Sequence, residues 1–248
     1  MKTASTWMFL TFLFLTPAHA DFGKMLEDFK SAGKTMLGQE QSHDGEGLAN
    51  DTIIDGLREA LTLGSQRAID TIGQEGGFLN NAAIRIPLPP RVQKVSDVMK
   101  KFGMSQLADD FENSMNRAAE QAAPEATSIL VDAIRSMSIS DAKTILQGDQ
   151  DAATRYFEDK TRPRLATLFS PIVEDSLNNV GATRYYNQLD SKMQAVPVVG
   201  QNLNVDLNEY VTQQALDGLF IMLAAEEQKI RENPAARTTS LLKQVFGK

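Results

Sequence analysis

The stretch Thr52–Gly73 reads TIIDGLREALTLGSQRAIDTIG. Its apolar residues recur three or four positions apart, as they do on the buried face of an α-helix. They are Ile53, Ile54, Leu57, Ala60, Leu61, Ala68, Ile69 and Ile72. Asn50 precedes the stretch and suits a helix N-cap, while Gly73 is a common way to end a helix. The pattern predicts a long amphipathic helix that opens a helical domain.

The next segment breaks this helical pattern. Gly76 and Gly77 indicate a loop. Residues Ile84–Pro90 (IRIPLPP) are predicted to be extended, because prolines lack the backbone N–H that a helix interior needs. Proline is well tolerated in the first turn of a helix, so Pro89 or Pro90 is expected to open the next one.

Helical spacing returns after these prolines and continues along the rest of the chain, with almost no strand-like alternation. Ser138 with Asp141, and Asp206 with Glu209, have the three-residue spacing of capping boxes at helix starts. The sequence therefore predicts an all-α fold, a single globular bundle of six to nine helices.

Two features concern the interiors of these helices. Pro163 and Pro171 fall within the helical region Asp149–Val180, where they predict kinks or breaks. Residues Leu219–Leu223 (LFIML) are apolar all round, so this part of a later helix is expected to pass through the core.

The first twenty residues have the organisation of a secretory signal peptide. Lys2 supplies a positive start, Trp7–Leu15 is a short apolar run, and Ala18-His19-Ala20 is a small-x-small cleavage site. The apolar run is too short to span a bilayer of about 30 Å as a helix. We therefore expect cleavage after Ala20 and a soluble, periplasmic product without a transmembrane segment. Asp21 stands where a lipoprotein would carry cysteine, which argues against a lipid anchor.

The remaining chain divides into two parts. Residues 21–49 are expected to form an N-terminal segment and a flexible linker, and residues 50–248 the helical domain. The linker prediction rests on the polar, glycine-containing stretch Gly38–Asn50 (GQEQSHDGEGLAN).

Composition excludes several classes of function. The chain has no cysteine and a formal charge of −7, which becomes −8 when the one lysine of the signal segment is removed. An acidic surface repels phosphate backbones, so nucleic-acid binding is not expected. His43 is the sole histidine beyond the signal segment. We therefore expect no metal site, no cofactor and no histidine-based acid–base mechanism.

The densest polar stretch is Gly148–Thr161 (GDQDAATRYFEDKT). Asp149, Asp151, Arg155 and Tyr156 within it are candidates for a carboxylate-based hydrolytic site, which would require them to converge in one pocket. The alternative interpretation, which we favour, is that the two aspartates cap the next helix and complement its dipole.

Arg184, Tyr185 and Arg85 are further candidate binding residues. The pentapeptide Ala182–Tyr186 (ATRYY) resembles Ala153–Phe157 (ATRYF). Three explanations of this similarity stay open: a functional repeat, an old helix duplication and a coincidence. One of the two adjacent tyrosine rings in Ala182–Tyr186 is expected in the core and the other at its edge. Arg85 lies among apolar residues in the proline-containing segment. That segment is either the wall of a groove or, as we favour, a stiff strap across the helical core.

Four stretches together resemble a known family. They are EALTLGSQRAI from Glu59, GGFLNNAAIRIPLPP from Gly76, GDQDAATRYFEDKT from Gly148 and IRENPAARTTSLLKQVFG from Ile230. Over Thr52–Lys248 the chain is similar to the bacterial domain-of-unknown-function family 4197, whose members are exported or envelope proteins. The resemblance implies a helical envelope domain and supplies no catalytic residue. It also implies that some relatives are lipoproteins, from which this cysteine-free chain departs.

No nucleophile motif, phosphate-binding loop or HExxH motif accompanies these candidates. We therefore favour a non-catalytic binding or interaction module for an apolar small molecule, a lipid or an envelope protein, since methionine-containing helical cores often line permissive pockets. Two alternatives stay open: the hydrolase centred on Asp149, and an oligomeric structural or stress-related envelope protein.

Overall fold

Helices make up nearly all of the structure, a computed structural model that describes residues 45–100, 106–194 and 205–232. They are α1 (Gly45–Gly73), α2 (Pro90–Lys100), α3 (Gln106–Ala122), α4 (Ala126–Ser136), α5 (Ile139–Gln147), α6 (Ala152–Asn179), α7 (Ala182–Gln194) and α8 (Leu207–Glu232). A single 3-10 turn, Ala123–Glu125, joins α3 to α4 at Pro124. These ranges contain no strand. The all-α fold is confirmed, and the helices of the described ranges already number within the predicted six to nine.

Several expectations fall on residues outside these ranges. They concern the signal peptide, the segment Asp21–Leu37, the linker up to residue 44, the connector Val196–Gly200 and a last helix after Asn233-Pro234.

Most predicted helix ends agree with the structure. Helix α1 ends at Gly73 and α2 begins at Pro90. Ser138 and Asp141 form a complete capping box, in which each side chain bonds the other residue's backbone N–H. The predicted start at Asn50 is wrong, because α1 begins at Gly45. Residues 45–49 of the polar stretch therefore already form part of the helix.

Helix α6 runs without interruption through Pro163 and Pro171, so of the predicted kinks or breaks, no break occurs. A proline in a helix interior costs a hydrogen bond. Here the buried face that includes Leu165, Phe169 and Val173 spans both prolines and holds the helix against the core. The Thr167 hydroxyl also donates to the carbonyl of Pro163 at 3.1 Å.

The core lies where α6 and α8 pack together, with α1 on α8 and α3 on α6. Leu219, Phe220 and Leu223 of α8 are buried there. Ile221 is 45 % exposed, however, so the expectation that the whole run Leu219–Leu223 lies in the core is wrong. An apolar run of five residues turns through more than a full helical turn, and α8 has a solvent-facing side at this position.

The segment between α1 and α2 begins with hydrogen-bonded turns and ends, over residues 84–89, as an extended strap across the core. Ile84, Ile86 and Leu88 are buried, whereas Arg85 and Pro87 between them are exposed. This alternation is that of an extended chain with one face on an apolar surface. The strap interpretation is therefore confirmed.

Polar side chains one helical turn apart on α3 hold this strap. Asn116 accepts the N–H of Ile86 at 2.8 Å and donates to the carbonyl of Ile86 at 2.9 Å. The Glu120 carboxylate accepts the N–H groups of Phe78 and Leu79 at 3.1 and 3.3 Å. We call Glu112, Asn116 and Glu120 the α3 ladder; Glu112 holds Arg85, as described below.

The strap also packs tightly against α8. A Cβ atom on Gly218 would lie 2.6 Å from Cε1 of Phe78 and 3.2 Å from Cβ of Ile84. Phe78 is fully buried, so its ring has little room to move away. Gly218 is therefore required by the close approach of the strap to the helix.

We expect Asn116→Ala to lower the free energy of unfolding by about 2 kcal/mol or more, because it leaves the buried N–H and C=O of Ile86 without their partner. Chemical denaturation measures the change. The matched control is Asn113→Ala, an exposed asparagine on the same helix, for which the change should stay within about 0.5 kcal/mol. Equal effects of the two substitutions would contradict the role given to the α3 ladder.

Gly218→Ala and Gly64→Ala should change stability in opposite directions, although both replace a helical glycine. Alanine favours a helix by about 1 kcal/mol, which should dominate at Gly64, where a Cβ would meet Ile230 at an ordinary 3.4 Å. At Gly218 the clash with Phe78 should exceed that gain and destabilise by about 1–3 kcal/mol. Thermal and urea unfolding of the two variants test this sign difference.

Candidate functional site

A surface depression of about 650 Å³ lies where α6 ends and α7 begins. The side chains that line it are polar and carry amide, hydroxyl and guanidinium groups. They are Asn178, Thr183, Arg184, Asn187, Gln188 and Ser191. The last four recur at helical spacing and so form one polar face of α7.

The chain turns sharply at the edge of this depression. Gly181 has a φ of +81°, a conformation that glycine adopts without the strain of a side chain. The Thr183 hydroxyl then donates to the side-chain oxygen of Asn178 at 2.8 Å, which links the last turn of α6 to the first turn of α7. The depression therefore has a fixed corner rather than a loose loop at one end.

Arg184 brings a positive charge to the depression. Its guanidinium carbon lies 5.1 Å from the centre of the Tyr185 ring, close enough for a cation–π interaction. Tyr185 is partly buried against the core, so the ring gives the guanidinium a supported position. In the described part of the chain, Arg184 forms no ion pair, in contrast to Arg155 below.

The neighbouring Tyr186 has a structural role. Its ring lies 6.0 Å from that of Phe111, and its hydroxyl accepts the N–H of Val205 at 3.0 Å. Both tyrosines are partly buried at the edge of the core. The expectation that one of the rings lies inside the core is therefore wrong, because Tyr186 needs its hydroxyl at the surface to reach Val205.

The candidate hydrolytic residues form a surface ion-pair cluster. Arg155 contacts Asp149 at 2.7 Å and Asp151 at 2.8 Å. These three side chains are 54 %, 82 % and 48 % exposed, respectively. The structure thus brings them together at the start of α6, but outward and paired with one another rather than around a pocket.

Tyr156 lies apart from this cluster, on Asp141. Its hydroxyl donates to the Asp141 carboxylate at 3.3 Å, and burial raises the pKa of Tyr156, as does the charge of Asp141. The pKa of Asp141 is lowered, mainly by hydrogen bonds from the Ser138 hydroxyl and backbone N–H. This arrangement stabilises the charged carboxylate in the capping box.

The first turn of α6 is capped from another helix, which sequence reasoning did not predict. Asp151 occupies the N-cap position, but its side chain caps no N–H, because it pairs with Arg155. The Glu227 carboxylate of α8 instead accepts the N–H groups of Ala153 and Thr154 at 3.0 and 2.9 Å. The interpretation that Asp149 and Asp151 cap this helix with their side chains is therefore wrong.

Arg231 balances the charge of this buried glutamate. Its guanidinium donates to Glu227 at 2.8 Å and to the carbonyl of Ile145, in the last turn of α5, at 2.7 Å. The pair thus ties together the end of α5, the start of α6 and α8. The available sequence signal was a glutamate and an arginine four residues apart, next to the apolar run of α8, which also fits an ordinary surface pair.

Arg85 anchors the strap to α3 through an ion pair with Glu112. Its Nε donates to the Glu112 carboxylate at 2.7 Å, and about half of its side chain remains exposed. It lies on a different element from the depression and from the Arg155 cluster. The candidate residues therefore occupy four separate places: the strap, the Arg155 cluster, the Tyr156–Asp141 contact and the depression. Of these four, the depression combines a concave surface with an arginine that has no carboxylate beside it among the described residues.

The described residues also limit the chemistry. Within residues 45–100, 106–194 and 205–232, no three acidic or histidine side chains converge where they could hold a metal ion. None of the helices in these ranges is sufficiently long and apolar to cross a bilayer.

The fold and the site describe a helical bundle with a polar surface depression. A family model described as "Protein of unknown function (DUF4197)" matches residues 47–247, which is most of the chain. The chain belongs to this family, as the four stretches quoted above indicate. No curated protein and no solved structure matches it.

We expect Glu227→Gln to destabilise the protein by about 3 kcal/mol, because it removes a buried charge from between Arg231 and the start of α6. Urea unfolding measures the loss. The control is Glu209→Gln on the same helix, where the carboxylate is exposed and the change should be about 0.5 kcal/mol or less. A small effect at Glu227 would show that the cap contributes little to the α5–α6–α8 junction.

Proposed function

We propose that the protein is an exported, non-catalytic binding module that holds a ligand in the depression between α6 and α7. The observation that carries this proposal is the chemistry of the depression: amides and hydroxyls accompany one arginine that forms no ion pair with any of the residues that the structure describes. Such groups orient a ligand by hydrogen bonds. Nothing among the lining side chains is a carboxylate that would neutralise the arginine.

The size of the depression fits this role. Its volume of about 650 Å³ lies within the roughly 300–1,000 Å³ of small-molecule sites. It is shallow and broadly open to solvent, which suits one end or one unit of a larger molecule. The lining residues end in polar groups, but their carbon atoms make up most of the exposed surface, so a ligand with both hydrogen-bonding and apolar parts fits it.

The arrangement of the Arg155 cluster argues against the hydrolase alternative. General acid–base catalysis requires side chains within hydrogen-bonding distance of a bound substrate, in a site that limits water. Asp149 and Asp151 are largely exposed and already engaged by Arg155. We therefore assign this cluster to the stability of the α6 start rather than to chemistry.

Export is the part of the proposal that rests on the sequence alone. The positive residue, the apolar run and the Ala18-His19-Ala20 site support it. Fractionation of cells expressing the full chain should place the protein in the periplasm with an N-terminus at Asp21. Recovery from the cytoplasm of a chain that still begins at Met1 would overturn export. The proposed ligand site in the depression does not depend on that result and has its own test.

The binding role is tested by native mass spectrometry of the protein purified from the periplasm. We expect wild type to carry an added mass that the double variant Asn187→Leu/Gln188→Leu loses. The matched control is Asn113→Leu/Gln121→Leu, which makes the same changes at exposed positions of α3. An empty wild-type protein, or equal retention by the depression variant, would contradict a ligand site at this place.

A further inference from the structure

We infer that the ligand of the α6–α7 depression carries a carboxylate, and that Arg184 binds it through its guanidinium. This inference rests on the proposed function, since it names the ligand chemistry for the same site. Its main support is a comparison within the chain itself, between the two related pentapeptides at the starts of α6 and α7.

The two pentapeptides both lie at the start of a helix, one residue out of register: Arg155 is the fourth residue of α6 and Arg184 the third of α7. Residues Ala153–Phe157 lie in the first turns of α6, and Ala182–Tyr186 lie in the first turns of α7. Each contributes an exposed arginine, Arg155 and Arg184. The chain thus presents the same side chain twice at the start of a helix.

The partners of the two arginines differ. Arg155 is held by carboxylates that lie six and four residues before it, Asp149 and Asp151. The positions six and four residues before Arg184 are Asn178 and Val180. An amide and an isopropyl group replace the two carboxylates, and Asn178 itself lines the depression. The internal anion of the first site is therefore missing from the second.

Arg184 is suited to take that anion from a ligand. A guanidinium presents a planar set of donors that matches a carboxylate, and its binding is stronger when both oxygens are engaged. Stacking on Tyr185 limits the freedom of the side chain, so less entropy is lost when a ligand binds. The negative charge of the whole chain disfavours unspecific anion binding, which makes this local donor set more selective.

The other lining groups narrow the ligand further. Asn187 and Gln188 both donate and accept hydrogen bonds, and Ser191 adds a hydroxyl. These groups match the amides of a peptide or the hydroxyls of a sugar beside the carboxylate. The shared chemistry is a carboxylate with neighbouring hydrogen-bonding groups, from either a peptide C-terminus or an acidic sugar.

Two-dimensional NMR of the mature protein, titrated with small probes, tests the inference. The peptide arm compares N-acetyl-alanyl-alanine with its C-terminal amide, and the sugar arm compares glucuronic acid with glucose. We expect shifts of the Arg184 Nε–H and of the Asn187 and Gln188 side-chain amides. In one of the two arms the carboxylate probe should bind about three- to fivefold more tightly than its neutral counterpart, as for an exposed ion pair.

Asn178→Asp is the most specific variant, because it places a carboxylate in the lining of the depression that Arg184 shares. It should occupy Arg184 internally and reduce carboxylate binding several-fold. The control is Asn179→Asp, which adds the same charge at the next, exposed residue that does not line the depression. Arg184→Gln should remove the preference for the carboxylate. Arg164→Gln, an exposed arginine of α6 paired with Asp132, should not.

The outcomes separate the inference from the proposed function. Equal binding of charged and neutral probes at the depression would support the proposed ligand site but overturn the inference that the ligand carries a carboxylate. No perturbation by any probe would overturn both. Equal effects of Asn178→Asp and Asn179→Asp would show a general charge effect and overturn the role of Arg184.

Discussion

The structure depends most on how the strap between α1 and α2 satisfies its backbone. Buried N–H and C=O groups need partners, and the turns of this segment provide none for the N–H groups of Phe78, Leu79 and Ile86. The α3 ladder supplies them from the side chains of Asn116 and Glu120. Because the strap is fixed in this way, Phe78 can be fully buried and α8 can approach it closely at Gly218. The hydrogen bonds from the α3 ladder therefore set the position of the apolar packing between Phe78 and α8.

The same solution occurs at the start of α6, where Glu227 of α8 caps a helix that is distant in sequence. In both places a glutamate that is less than a tenth exposed receives backbone N–H groups and has an arginine nearby, Arg117 for Glu120 and Arg231 for Glu227. A buried charge is costly unless it is paired and hydrogen-bonded. These glutamates meet both conditions, so they join separate elements without leaving an isolated charge in the core.

The sequence was informative where structure is decided locally. Gly73, Pro90 and the Ser138–Asp141 box act within a few residues, and each fixed a helix end as expected. Predictions were wrong where distant contacts decide: packing carries α6 through Pro163 and Pro171 without a break, and Glu227 accepts the N–H groups at the start of α6 while Asp151 pairs with Arg155. The depression was the hardest part to predict, because its lining comes from two helices. Arg184 was a candidate, but its surroundings could not be read from spacing alone.

The two pentapeptides show why a short motif does not define a site. At Arg155 the preceding aspartates neutralise the guanidinium and leave an exposed ion-pair cluster. At Arg184 the preceding residues are neutral, a ring supports the guanidinium, and a depression lies beside it. The arginine of the first pentapeptide thus stabilises the start of α6, whereas the arginine of the second faces solvent. What distinguishes the two arginines is whether the described residues around them supply a carboxylate, and that property belongs to the surroundings rather than to the motif.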